Sequence, residues 1–207
     1  MIPIELSASV NGTKNQGVVS DTRLNPLAMN KLFPTLALLA APFLFAFNPG
    51  APVQKPKTSP AATANYNKDG LKIEVNYSRP YKKGRVIFGG LVPYDEVWRT
   101  GANEAATFET NKDLTIGGKT LPAGKYTLWT IPHEKTWEVI FNKKMYPWGV
   151  NEKGLASREA EADAVSVTVP VEILPEETEQ FTIDLQDAKV PTLVLSWDYM
   201  QVSVPLQ

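Results

Sequence analysis

The stretch Val97-Trp98-Arg99-Thr100-Gly101-Ala102-Asn103-Glu104-Ala105 gathers several chemically committed side chains around one glycine. Trp98 offers a flat apolar face, Arg99 a planar fork of donors, Asn103 both a donor and an acceptor, and Glu104 a carboxylate. Such a set suits a sugar or a carboxylated small molecule. Gly101 permits a sharp turn, which predicts that Arg99 and Glu104 fold back to within reach of each other or of a shared ligand, with Trp98 screening one side from water. The same residues also fit a purely structural role, in which Arg99 and Glu104 pair across the turn and Trp98 sits in the core. A second basic group lies upstream. Arg79 and Arg85 flank Lys82-Lys83-Gly84 and could together receive an anion, or simply form a solvated loop.

Other chemistries find less material. His133 is the only histidine and follows a proline in a charged loop, which favours a surface histidine over a member of a serine–histidine triad. No Gly-x-Ser-x-Gly elbow occurs. One histidine does not make a typical zinc site, and the carboxylates show no ligand spacing. Asn65, Asn67, Asp69 and Gly70 imitate the start of a calcium loop, but its twelfth position falls on Asn76 where a bidentate glutamate is required. Asp69-Gly70 therefore reads as a hairpin turn. Gly89-Gly90 lacks the lysine and hydroxyl of a phosphate loop. A carboxylate-dependent hydrolase stays open, with Glu104 as one member of a pair. The chain has no cysteine, which excludes disulfides and thiolate ligands. No cofactor is implied.

The chain has 207 residues, is 43% hydrophobic and carries a formal net charge of −1. Residues 1–57 hold five basic and two acidic side chains, leaving 16 basic (21 − 5) and 20 acidic (22 − 2) in 58–207, a net of −4. That balance offers no basic surplus for nucleic acid. Lys31 precedes the apolar run Leu32 to Phe47, the pattern of an export signal. Pro34 and Pro42 interrupt the run, and it is shorter than the ~20 residues that span a bilayer. Met29 is read as the true start, with residues 1–28 an extension and cleavage after Ala46 or Ala51. Asn48 to Ser59 is proline-rich and reads as a linker. The expectation is an exported protein, periplasmic or extracellular, without stable membrane insertion once the signal is removed. Its domain covers 58–207, after a 1–57 segment that is signal-like or disordered.

The elements that must position these residues read as strands. Leu71 to Tyr77 alternates, with Leu71, Ile73, Val75 and Tyr77 on one face. Thr107–Thr110, Leu114–Ile116, Lys119–Leu121, Lys125–Ile131 and Trp137–Asn142 follow. Gly117-Gly118 makes a two-residue hairpin turn. Ile87 to Tyr94 reads as a tight packed loop leading to the central segment, and 155–162 has helix-forming composition but is too short and polar to stand alone. Val165–Val169, Phe181–Leu185, Leu193–Trp197 and Gln201–Val204 complete the set. The pattern predicts an all-β fold, an antiparallel β-sandwich of about eight to ten short strands.

Several of these segments resemble a bacterial family, the domain of unknown function 2911. They are Tyr77-Ser78-Arg79-Pro80, Gly84-Arg85 with Ile87 to Gly90, Val97 to Ala105, and Leu121 to Tyr126. Trp137 to Asn142, Trp148-Gly149 and Leu195-Ser196-Trp197-Asp198 belong to the same series. The resemblance runs in order from about Ser59 to Pro205. It implies an exported protein and brings no activity, ligand or catalytic residue. Three classes of function follow. The favoured one is a binding module for a small polar or carbohydrate-like ligand, with Arg79, Arg85, Trp98, Arg99, Asn103 and Glu104 as candidate contacts. The others are the carboxylate-dependent hydrolase and a structural domain without a small ligand. Oligomeric state is not legible in the sequence.

Overall fold

The computed structural model describes residues 58–207. The signal-like run, the Met29 start and most of the linker lie outside them. Among the described residues nine strands form: β1 (Ala61–Lys68), β2 (Leu71–Ser78), β3 (Ala106–Thr110), β4 (Leu114–Ile116), β5 (Lys119–Leu121), β6 (Gly124–Pro132), β7 (Thr136–Asn142), β8 (Asp163–Asp187) and β9 (Pro191–Pro205). Seven make one sheet in the order β1-β2-β3-β6-β7-β8-β9, and β4-β5 is a separate hairpin. Every pairing is antiparallel. The expected all-β antiparallel architecture is therefore what these residues form.

Two features differ from the sequence reading. The four C-terminal strand segments join into two long strands, and β1 adds a strand that the sequence reading had not assigned. The first half of β8 pairs with β7, and its second half pairs with β9. Register shifts between Ile173, Thr178 and Thr182 bend the ribbon, with Pro175 inside the irregular part. The bend carries the outer half of the β8–β9 ribbon back over β1 and β2, so the sheet curls nearly into a barrel. The Tyr77 hydroxyl donates to the Ile183 carbonyl at 3.2 Å and accepts from the Ile183 amide at 2.9 Å. Phe181 N–H donates to the Pro80 carbonyl at 2.9 Å, and Lys82 N–H to that of Glu179 at 2.7 Å.

The alternating positions dictate what fills the curl. Ile73, Val75 and Tyr77 of β2 point inward, as do Trp137, Val139 and Phe141 of β7 and Phe181, Ile183, Leu193 and Leu195 of the outer ribbon. Trp129 and Ile140 point to the other face and form a small second cluster with Ala105. Residues 143–162 pass over that second face as a strap, and of their helix-like composition only the 3-10 turn Ala160–Ala162 forms. Buried Asn142 ties the strap down. Its Nδ2 donates to the Glu159 carbonyl and to Asp163 Oδ1, both at 2.8 Å, and its Oδ1 accepts from the Lys144 amide at 2.9 Å.

Candidate functional site

The central segment lies in the connection between β2 and β3, and β6 pins it. Trp98 N–H donates to the Thr130 carbonyl at 2.7 Å, and Thr130 N–H returns a bond to the Trp98 carbonyl at 3.0 Å. The Trp98 ring enters the core. It stacks on Trp197 with centroids 5.8 Å apart and an interplanar angle of 18°, and meets Phe181 edge-on at 4.9 Å. After Trp98 the backbone turns sharply. Thr100, Gly101 and Asn103 take φ of +53°, +138° and +61°. A β-branched residue at positive φ is strained, and it persists because its surroundings over-determine it. Thr100 is fully buried, with its hydroxyl 3.3 Å from that of Thr130. A Cβ at Gly101 would lie 2.7 Å from the Ser78 carbonyl oxygen, so only glycine fits there.

This turn places Arg99 differently from its neighbours. Its stem packs on Gly149 of the strap, where a Cβ would lie 2.3 Å from Arg99 Cδ. Gly149 N–H donates to the Asn103 carbonyl at 3.0 Å, which fixes strap and turn together. The Arg99 Nε is buried and has no hydrogen-bond partner among the described residues. Burial lowers the Arg99 guanidinium from its ordinary value. Desolvation without compensation has this effect on a cation.

Arg99 lines two adjoining clefts. The first, of about 470 Å³, is bordered by Tyr81, Lys83, Arg85, Trp197 and Leu91, with Thr58 and Ser59 at its edge. Three of its lining residues are cationic and none is acidic. The second, of about 490 Å³, shares Leu91, Val92, Trp98 and Arg99 with the first. It continues along Glu96 and Val97 to Val150, Leu155 and Ala156 of the strap.

Among the sequence-predicted residues, the first cleft brings together Arg85, Trp98 and Arg99. Arg79 is used elsewhere. Its Nε donates to the Phe181 carbonyl at 3.0 Å and its Nη2 to Thr182 Oγ1 at 2.7 Å, binding the end of β2 to β8. Arg85 is exposed, with Nε donating to the Lys82 carbonyl at 2.9 Å. Asn103 Nδ2 donates to the Ser59 carbonyl at 3.3 Å and to Ser78 Oγ at 3.2 Å. Glu104 is exposed and accepts from Ser78 Oγ at 3.4 Å. It lines a separate depression with Thr63, Asn76 and Thr107. Arg99 and Glu104 thus face different concavities.

The sequence reading did not single out Lys83, Tyr81 or Trp197 as contacts. Lys83 was visible as part of the basic loop, whereas Trp197 reaches the cleft only because β9 bends back. Gly149 carried a signal as part of Trp148-Gly149, although not one for its contact with Arg99.

The pattern of a known protein family matches residues 59–206, and its description is protein of unknown function (DUF2911). The chain belongs to this family. No curated protein and no solved structure matches it. The DUF2911 region takes in both clefts except Thr58, together with the strap and each candidate residue named above.

Proposed function

We propose that this DUF2911 domain is a binding module for a small polar, carbohydrate-like ligand carrying an anionic group, held in the first cleft. The observation that carries the reading is Arg99, whose buried Nε lacks a partner among the described residues in a cleft that also presents Lys83 and Arg85 and no acid. An anion entering there compensates the solvation that burial has removed from Arg99, and an arginine fork matches a carboxylate in two parallel bonds. Tyr81 and Leu91 give apolar surface for a sugar ring, and polar groups among them fix orientation. We further propose that the domain works outside the cytoplasm, because Lys31 and the Leu32 to Phe47 run have the form of an export signal.

The test is calorimetric titration of the protein with glucuronic acid and with glucose, repeated on Arg99→Met. The wild type is expected to bind the acid and not the neutral sugar, and Arg99→Met to bind neither. Equal binding of acid by wild type and variant overturns the reading, and so does an absence of binding by both.

A further inference from the structure

The two clefts meet along Leu91, Val92, Trp98 and Arg99, and their other walls carry opposite charge. On one side of Arg99 stand Lys83 and Arg85. On the other stands exposed Glu96, with Leu155 and Ala156 of the strap opposite. We infer that the clefts form one continuous groove for at least two linked sugar units, an acidic unit on the Arg85 side of Arg99 and an uncharged unit on the Glu96 side. The inference rests on the binding reading above and adds the ligand's length and charge order.

Three observations carry it. First, Arg99 lines both clefts, so a unit bound against it in the first has its neighbour directed into the second. Second, the second wall combines a carboxylate with aliphatic side chains. Leu155 is 61% exposed and Leu91 47%, which leaves apolar surface uncovered at the groove. A sugar ring presents C–H faces to such surface and hydroxyl donors to Glu96, whereas a second anion would be repelled at short range. Third, the backbone along the groove is already spent. Leu91 N–H bonds to Val86, Val92 N–H to Ile87, and Trp98 exchanges two bonds with Thr130. An extended peptide binds by adding a strand to a free edge, and this wall offers none at those positions. Side-chain recognition of a glycan needs no such edge.

The experiment titrates the full chain with three probes: glucuronic acid, glucuronic acid joined to glucose, and glucuronic acid joined to a second glucuronic acid. The mixed disaccharide is expected to bind about tenfold more tightly than the monosaccharide, because a second unit adds contacts without a second loss of translational freedom. The double acid is expected to lose that gain in the wild type and to recover it in Glu96→Gln. Leu155→Asp is expected to remove the gain for the mixed disaccharide while leaving glucuronic acid binding intact. If all three probes bind alike and neither variant changes them, the second cleft takes no part and only the single-unit reading survives. A double acid that binds as tightly as the mixed disaccharide in the wild type overturns the charge order. If none of the three binds, the single-unit reading falls as well, and the groove with it.

Discussion

Arg99 carries a buried Nε without a hydrogen-bond partner among the described residues, so its charge adds little to stability there. A buried donor without a partner costs on the order of 1–3 kcal/mol, discounted here because the side chain is partly exposed to screening solvent. Arg99→Met keeps the stem that packs on Gly149 and removes the charge. We predict a denaturation midpoint unchanged or corresponding to a gain of up to about 1 kcal/mol, together with loss of acid binding. A loss of several kcal/mol in urea melts would show that Arg99 is structurally paired. Gly101 is the opposite case. Its φ lies in the left-handed region and a Cβ would strike the Ser78 carbonyl oxygen at 2.7 Å. Gly101→Ala is predicted to destabilise by about 1–3 kcal/mol, measured by the same melts, and a neutral result would mean that the turn is not as tight as described. The chemical content of this segment was legible in the sequence, because Trp98 and Arg99 are adjacent and Gly101 follows two positions on. Trp98 in the core was one of the two readings of the segment, whereas the separate directions of Arg99 and Glu104 were not legible. Three positive-φ residues in a row of four send Trp98 into the core, Arg99 to the two adjoining clefts and Glu104 to a separate depression, and side-chain types alone do not encode that parting.

At the scale of elements, β6 pins the backbone beside Arg99 and the strap packs on its stem. Gly149 does not take a left-handed φ, and the atoms nearest to an added Cβ all belong to the Arg99 stem. Gly149→Ala is therefore predicted to displace Arg99 and weaken acid binding at least about tenfold, at a stability cost within the ~1–3 kcal/mol typical of overpacking, because the clash reaches Arg99 Cβ at 2.7 Å. Binding that survives with melting unchanged would detach strap from site. A second contact joins β1 to the far end of β8. Lys68 Nζ lies 2.7 Å from Asp187 Oδ2, and this hydrogen bond is the first cause lowering the Asp187 carboxyl and raising the Lys68 amine. A depressed carboxyl contributes above its unfolded value and loses its contribution as pH falls through the folded one. The raised amine behaves conversely and is lost only in strong base. Acid titration followed by NMR should thus show Tyr66 and Lys68 shifting together below the usual carboxylate range. A step at the ordinary aspartate value would mean that the pair does not form in solution. Strands such as β2 and β7 were legible because strict alternation leaves one apolar face. In β8, Leu174-Pro175-Glu176-Glu177 was not assigned to a strand, because its polar residues and proline occupy the bulged bend, where no face is buried.

For the whole molecule, the question is where the cooperative unit begins. Ser59 and Pro60 precede the first strand, yet their carbonyls accept from Asn103 Nδ2 and from the Arg79 amide at 3.3 and 2.8 Å. These bonds fasten the chain before β1 to the turn that carries Arg99 and to the end of β2. β1 itself was not legible as a strand, because Ala61-Ala62-Thr63-Ala64-Asn65 is small and polar. Its inward positions nevertheless pack Ala62, Ala64 and Tyr66 against the core, and it pairs with β2 along its full length. A fragment of residues 58–207 is therefore predicted to be strand-rich by far-ultraviolet circular dichroism and to unfold in one cooperative transition. A fragment starting at Leu71 loses the cover of β2. Its eight-residue edge, with Ile73, Val75 and Tyr77 on one face, then becomes free to pair with another chain. Light scattering should find the longer fragment free of aggregates and the shorter one self-associating. If the shorter fragment stayed dispersed and kept the same transition, β1 would be an ornament of the sheet rather than the strand that closes its edge.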